Sequence, residues 1–499
     1  MQRRSFFKAA GAALATPWLW TRRAWAEQPV WDQLIVGAGT AGLPAAIFAS
    51  RRGARSLLID AADKVGGTLH LANGQVSGAG TTIQRDLGIL DAPDIHFDDI
   101  MRITASTASA PIVRRVVDNA AATIDWLLAG GLVPLPDHPV TGESPGRAAY
   151  SRRRYLWGKN EGRDILAVVE RQLGPELASG RVATQLNTRV SSLLVNDRGE
   201  VEGVRARQGE RELFFRGKSV LLTSGGYASN PEKFRQLCGY PNYAGSSYAH
   251  SQGDGIDLAT SVGGWVRGRE LYRSGFGSIL ASETYPSKIT ARFHTVPQRR
   301  LPWEIWVGSN GERFVREDEP SQPARERALL QQPELRYWIV FDAGIFERAP
   351  PGVIGWTREQ IHAAFDSHPM FATAPTLAAL AERAGIDAAG LQRTVGAYNQ
   401  SVRSKRDSLG RTHLPLAIRR GPFYAIRHQG HSASSVVGVA VDDRLRVLTA
   451  ADEPVPNLYA AGELLGSGVM MGNAFCPGML LTPALTFGRL LGSGTLAEK

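Results

Sequence analysis

The apolar positions of this chain fall into strand-length runs that alternate with helical stripes, the pattern of an α/β protein. Residues 31–36 read as a strand and residues 40–52 as a helix whose Gly and Ala face suits close packing on a sheet. Residues 56–60 read as a second strand, which completes a short βαβ unit. Helical periodicity returns at 110–128 and 162–173. Residues 182–223 are strand-rich and predict a meander, with Asn196-Asp197-Arg198-Gly199 as one of its turns.

From about residue 273 to 424 the composition changes, as Trp, Pro and Arg become frequent. Two helical patterns stand in this stretch, at 376–384 and at 388–404 with a period near 3.6. The tail from 436 to 491 returns to strand, turn and helix signals. The expected organisation is therefore a Rossmann-like α/β domain over 27–272, an inserted α+β capping domain over 273–428, and a segment over 429–499 that completes the first domain.

The first 26 residues have the order of a targeting segment. Arg3-Arg4-Ser5-Phe6-Phe7-Lys8 resembles a twin-arginine export motif, an apolar stretch follows, and Ala24-Trp25-Ala26 supplies a small-x-small cleavage site. This implies a folded protein exported to the periplasm. The segment carries five basic residues and no acid, so its removal takes the formal charge from +10 to +5. Mild basicity without aromatic-interleaved Lys/Arg clusters argues against a nucleic-acid partner. Beyond the leader no apolar run reaches the length of a membrane span. Cys238 and Cys476 are the two cysteines. An oxidising compartment permits a disulfide between them, but they form no CxxC dithiol and no metal-type spacing with His.

Residues 37–42, Gly-Ala-Gly-Thr-Ala-Gly, match GxGxxG between the first strand and the first helix. Gly37 allows the tight turn, Gly39 lets backbone approach a pyrophosphate, and Gly42 lets helix and strand pack closely. Thr40 and Ala41 open the helix, whose N-terminal amides attract phosphate. Asp60 ends the second strand, where a carboxylate accepts from a ribose hydroxyl. Small-residue loops follow at Gly66-Gly67-Thr68 and Gly78-Ala79-Gly80, then Thr223-Ser224-Gly225-Gly226 after a buried strand. Tyr459-Ala460-Ala461-Gly462-Glu463 ends another.

These stretches, with Gly253-Asp254-Gly255 and Gly311-Glu312-Arg313-Phe314-Val315, resemble in order the fumarate reductase/succinate dehydrogenase flavoprotein family, which includes the 3-ketosteroid dehydrogenases. The resemblance covers nearly the whole mature chain and implies FAD. By position it implies that Gly37, Gly39, Thr40, Ala41, Gly42 and Asp60 hold pyrophosphate and ribose, with Gly67 and Thr68 near phosphates and flavin. It places Val190 against the adenine, Gly226 in the second Gly turn, and Gly462 with Glu463 at a ribityl hydroxyl. The turn from Gly478 to Leu481 would offer backbone N–H groups to flavin O2, where reduced flavin carries negative charge. Some members tether the flavin through a His just after the Gly-Gly region, and His70 lies one residue out of that register.

The family moves a hydride between flavin N5 and a carbon beside an activating carbonyl or carboxylate, while a second group exchanges the proton on the neighbouring carbon. No second GxGxxG suggests a nicotinamide site, so a small redox protein such as a periplasmic cytochrome, or a quinone, is the expected electron partner. The His of the dicarboxylate reductases' His-Thr-Met-Gly-Gly has no counterpart in Ala433-Ser434-Ser435-Val436-Val437-Gly438, although His431 is slightly upstream. Their proton-donating Arg is matched only by Arg325 or Arg327 after an insertion. A third Arg is replaced by the apolar run 470–477, where the ketosteroid dehydrogenases would have a Tyr and this chain has Phe475 and Cys476. The apolar lining favours a bulky or aromatic, steroid-like carbonyl substrate over a small diacid.

Arg325, then His431 and Glu319, are the candidates for proton handling, with Tyr285 and Tyr424 behind them. Each also suits a structural role, Arg325 as the partner of nearby acids and Glu319 as a helix cap. The alternatives are a fumarate-type carboxylate reductase, an oxidase of another flavin fold sharing only the N-terminal unit, and a non-enzymatic FAD electron carrier.

Overall fold

The computed structural model describes residues 29–142, 149–245, 247–271 and 274–494. The expected leader and cleavage site lie outside these residues, as does the expected boundary at 272–273.

The predicted βαβ unit is present. Gln33–Val36 (β1) and Ser56–Ile59 (β2) are fully buried strands joined by the helix Gly42–Arg51 (α1). They pair in parallel with Leu34 beside Leu57 and Val36 beside Ile59. The expected strand over 31–36 is divided at Asp32, whose carboxylate accepts from the Arg55 amide and the Lys218 ammonium. That bend sends Val30–Trp31 to a different sheet.

Ala110–Ala129 (α2) and Gly162–Ala178 (α3) follow as long amphipathic helices. The strand-rich stretch then splits in three. Val182–Gln185 (β3) joins β2, and only Arg189–Val195 (β4), Val201–Gln208 (β5) and Arg211–Gly217 (β6) make the antiparallel meander. Val220–Leu222 (β7) returns to β1. The reason is visible in burial. β7 is buried at all three positions, as a strand covered on both faces must be, whereas β4 alternates.

A second apolar core spans Phe276 to Ile426. Its sheet contains Gly275–Leu280 (β8), Ile289–Ala291 (β9), Ile305–Val307 (β10), Arg336–Asp342 (β11) and Phe371–Ala374 (β12), all antiparallel. Gln322–Leu330 (α4), Leu377–Ala384 (α5) and Ala388–Ser404 (α6) accompany it, and the last two match the helical patterns read from sequence. The centre of this sheet is Phe423–His431 (β13), which pairs with β8 and β12 on one edge and β11 on the other. Eight of its nine residues are buried.

Arg446–Leu448 (β14) and Pro454–Ala460 (β15) return the chain to the first sheet, whose order is β14-β15-β7-β1-β2-β3. Leu481–Ser493 (α7) packs on α1, and a side chain at Gly488 or Gly492 would overlap the carbonyls of Ala41 or Ala45. Among the described residues no helix is long and apolar enough to cross a membrane.

Candidate active site

Parallel strands β7, β1 and β2 all end at one edge, and chain reversal there opens a crevice. A cavity of about 630 Å³ occupies it and extends to the second core. Gly37 leaves β1 with φ +109°, against the Thr223 carbonyl, where no Cβ fits. The Thr223 hydroxyl donates to Gly37 O at 2.7 Å. Gly39 and Gly67 face each other across the cavity floor, a Cβ on Gly67 falling 3.1 Å from the Gly39 Cα. Thr40, Ala41 and Thr68 complete this bare backbone cradle. No side chain caps the start of α1; Leu43 N donates to Gly39 O at 3.1 Å and Pro44 carries no N–H, which leaves the amides of Ala41 and Gly42 at the turn. Gly42 is behind the turn, where a Cβ would overlap the Gly37 carbonyl, so its part is packing.

Asp60 is on the wall and accepts from Ala38 N at 2.6 Å and Ala62 N at 2.8 Å. Val190 lines the same end. At the other end Glu463 accepts from the amide and hydroxyl of Ser435, at 2.9 and 3.1 Å, and burial raises its pKa. Gly462 and Glu463 both line the cavity, whereas Gly226 does not. A Cβ on Gly226 would overlap the Ser435 hydroxyl, so this glycine seats Glu463 from behind. Gly478 and Leu481 line the wall at the uncapped start of α7.

The second core contributes a wall of different chemistry. Arg325, on α4, is 3 % exposed and lines the cavity. Its Nη1 donates to the Glu319 carbonyl, its Nε lacks a partner, and among the described residues no carboxylate lies within ion-pair distance. Burial lowers its pKa, an effect that Glu326 partly offsets. His431 ends β13 on the same wall, with Nε2 3.0 Å from the Ser278 hydroxyl and Nδ1 unpartnered. Burial and the Arg292 charge push it down to about 4, so the imidazole is neutral near pH 7. Phe276, Val296, Val469, Met470 and Phe475 supply apolar surface.

Other candidates lie elsewhere. Glu319 is off the cavity wall, and its carboxylate accepts from the amide of Ser321, the residue that caps α4. Tyr285 is directed to Gln429, and Tyr424 is packed among Phe341, Phe346 and Phe365 in the second core. His70 is not on the wall, and its Nε2 is 2.9 Å from the Val65 carbonyl. Cys238 and Cys476 are both free and buried, with Cys476 behind the wall that Phe475 forms. Arg292, Gln322 and Phe276 line the cavity without having been picked out from sequence, since none belongs to a motif.

Residues 32–479 match the model of the FAD-binding-domain family. The chain belongs to the fumarate reductase/succinate dehydrogenase-like family of FAD-dependent oxidoreductases. The flavoprotein is 27% identical to "Fumarate reductase (cytochrome)" of Shewanella frigidimarina, over 92% of this chain and 76% of that one. It is 24% identical to the urocanate reductase of Eggerthella lenta, over 93% and 74%. In fold it is similar to 3-ketosteroid Δ1-dehydrogenase from Sterolibacterium denitrificans, with a TM-score of 0.72 and 20% identity over 94% of this chain and all of that one. The flavoprotein is thus an enzyme that uses FAD and acts on CH–CH or C=C groups. The cavity fits the cofactor: an uncapped helix start and facing glycines at one end, a carboxylate beside them, and a second uncapped helix start at the other.

Proposed function

We propose that the flavoprotein reduces, or introduces, a C=C bond next to the carbonyl or carboxylate of a bulky or aromatic substrate. FAD, when bound, supplies hydride exchange at N5. Gly37, Gly39, Thr40, Ala41 and Asp60 would hold its pyrophosphate and ribose, with Gly67 and Thr68 beside them. Val190 would meet the adenine, Glu463 a ribityl hydroxyl, and the turn at Gly478–Leu481 the flavin pyrimidine, while Gly42, Gly226 and Gly462 keep these elements close.

The observation that carries the reading is Arg325, a buried guanidinium on the cavity wall without a carboxylate partner. A buried guanidinium whose Nε is unpartnered and which has no carboxylate in ion-pair contact suits a ligand that brings electron-rich oxygen. Its lowered pKa also suits proton donation to the carbon next to the one that exchanges hydride. Neutral His431 can hydrogen-bond a substrate oxygen but is not a cationic acid near pH 7. The apolar side chains opposite favour a bulky substituent. Arg292, a second guanidinium at the cavity, favours a carboxylate as the activating group and gives the fumarate-type alternative its support. The relative named as a cytochrome fumarate reductase supports a small haem protein as electron partner, and the twin-arginine-like leader supports action in the periplasm.

The test is to reduce the purified enzyme without oxygen, then offer fumarate, cinnamate-type acids, enones and steroid enones while flavin absorbance is followed. Rapid reoxidation by a bulky enone or enoic acid is expected. Reoxidation by fumarate alone selects the small-diacid alternative. If neither the bulky alkenes nor fumarate reoxidise the reduced enzyme, and no saturated counterpart reduces the oxidised enzyme, the proposed substrate class is wrong.

A further inference from the structure

Behind the cavity wall, two polar side chains converge on the segment 476–478. Tyr150 is wholly buried, and its hydroxyl donates to the Pro477 carbonyl. The Ser77 hydroxyl donates to that carbonyl too, at 3.1 Å. A carbonyl oxygen has two lone pairs, so these two donors fill it. The Cys476 thiol, 3.4 Å from the Tyr150 oxygen, is held protonated by burial, with its pKa pushed up to about 12. It can therefore donate into the phenol and leave the phenol proton for Pro477. The tyrosine ring is held by the edge-on His96 ring at 5.3 Å and the Arg154 guanidinium at 4.9 Å.

The peptide unit that accepts these two bonds ends in the Gly478 N–H. Gly478 lines the cavity with φ +77°, and its amide has no partner among the described residues. A Cβ on Gly478 would stand 2.6 Å from Ser77 N, so the turn is pressed against the residue that bonds it. Ser77 N also donates to Thr482 Oγ1 at 2.9 Å, tying the same support to the first turn of α7. Hydrogen bonds to an amide oxygen polarise the whole amide and strengthen its N–H as a donor. The start of α7 adds its positive dipole end.

We propose that Tyr150 and Ser77 act as positioning residues that set the reduction potential of the bound FAD, by fixing and polarising the Pro477–Gly478 peptide. The reduced cofactor carries negative charge near N1 and O2, so a stronger donor favours it over the oxidised form. Neither side chain lines the cavity, so neither acts by touching the cofactor or a substrate. The inference rests on FAD presenting its pyrimidine end to this turn, and it does not depend on the substrate proposed above, since no substrate enters the measurement.

The experiment is a redox titration of the FAD-loaded enzyme beside Tyr150→Phe, Ser77→Ala and the double variant. FAD content, FAD affinity and thermal stability are measured on each. Tyr150→Phe keeps the ring and removes only the hydroxyl. The expected result is about a tenfold loss of preference for reduced FAD in each single variant, close to 30 mV lower for a two-electron couple, and a larger drop in the double. Ser77→Ala tests the same carbonyl if Tyr150→Phe fails to fold. Potentials unchanged within a few millivolts overturn the proposal, even if stability falls, because packing alone then explains the cluster. A rise in potential overturns it as well. A loss of oxidised and reduced FAD affinity in equal measure also overturns it, since that describes a prop for the turn and not a bias between redox states.

Discussion

Arg325 and His431 share a cavity wall, but burial leaves them in different charge states. The guanidinium keeps its charge beside Glu326, and the imidazole loses it. Arg325→Ala is expected to lower kcat/KM for the best alkene by about 10²- to 10⁴-fold, with FAD content unchanged, as read by steady-state rates and flavin absorbance. The histidines also make stability depend on pH. His431 and His428 have folded pKa values of about 4 and about 3, below the ordinary 6.5. The unfolded chain therefore takes up protons first as pH falls. Their contribution is intact above pH 6.5 and is lost between 6.5 and the folded values, at up to roughly 1.4 kcal/mol per pH unit for each. Denaturant titrations from pH 7.5 to 4.5 should show this slope, and His428→Gln should reduce it. At this scale the sequence was legible where geometry forces a residue type, as at Gly37, where no Cβ fits. Arg292 was not legible, because a lone Arg near a short strand carries no periodic or motif signal. Glu319 was read as a proton-handling candidate with a helix cap as its structural alternative, and its carboxylate turns back to the amide of Ser321 at the start of α4.

Elements were legible where one face is apolar over several turns, so α2, α5 and α6 stand where periodicity put them. Pairing partners were harder to read. A strand-rich stretch does not reveal which strands leave it: β7, buried at all three positions, left the meander for the middle of the parallel sheet, and β3 left it for the place beside β2 at the end of that sheet. The long, almost uniformly buried β13 could not be told from a short buried helix by pattern alone. The contact of α7 with α1 leaves no room for a side chain at two of its glycines. Gly488→Val would drive a side chain into the Ala41 carbonyl. Overpacking of this kind typically costs 1–3 kcal/mol, and the displaced helix would also weaken FAD retention. A fall in melting temperature together with loss of bound flavin on gel filtration is expected, while a change at the spacious Gly396 on α6 should leave both unaltered.

For the whole molecule, the cavity is walled by residues of both apolar cores, so a ligand there joins them. Removing FAD should lower thermal stability, and FAD at 100 times its Kd should restore about 2.7 kcal/mol, as calorimetry of apo and reconstituted enzyme would show. The α/β character and the inserted α+β layer could be read from the changes in periodicity and composition. The way in which the second core reaches the first could not, since it depends on where β13 ends, and a strand's register is fixed by its neighbours. The α1–α7 contact also bears on how the enzyme is made. Arg52 donates to the Gly492 carbonyl across 440 residues of chain. The nucleotide turn is thus synthesised some 440 residues before the helix that backs it. A nascent chain can form its first βαβ unit but cannot close the pocket around FAD until α7 has also been made, so the two halves of the cofactor site mature at different times.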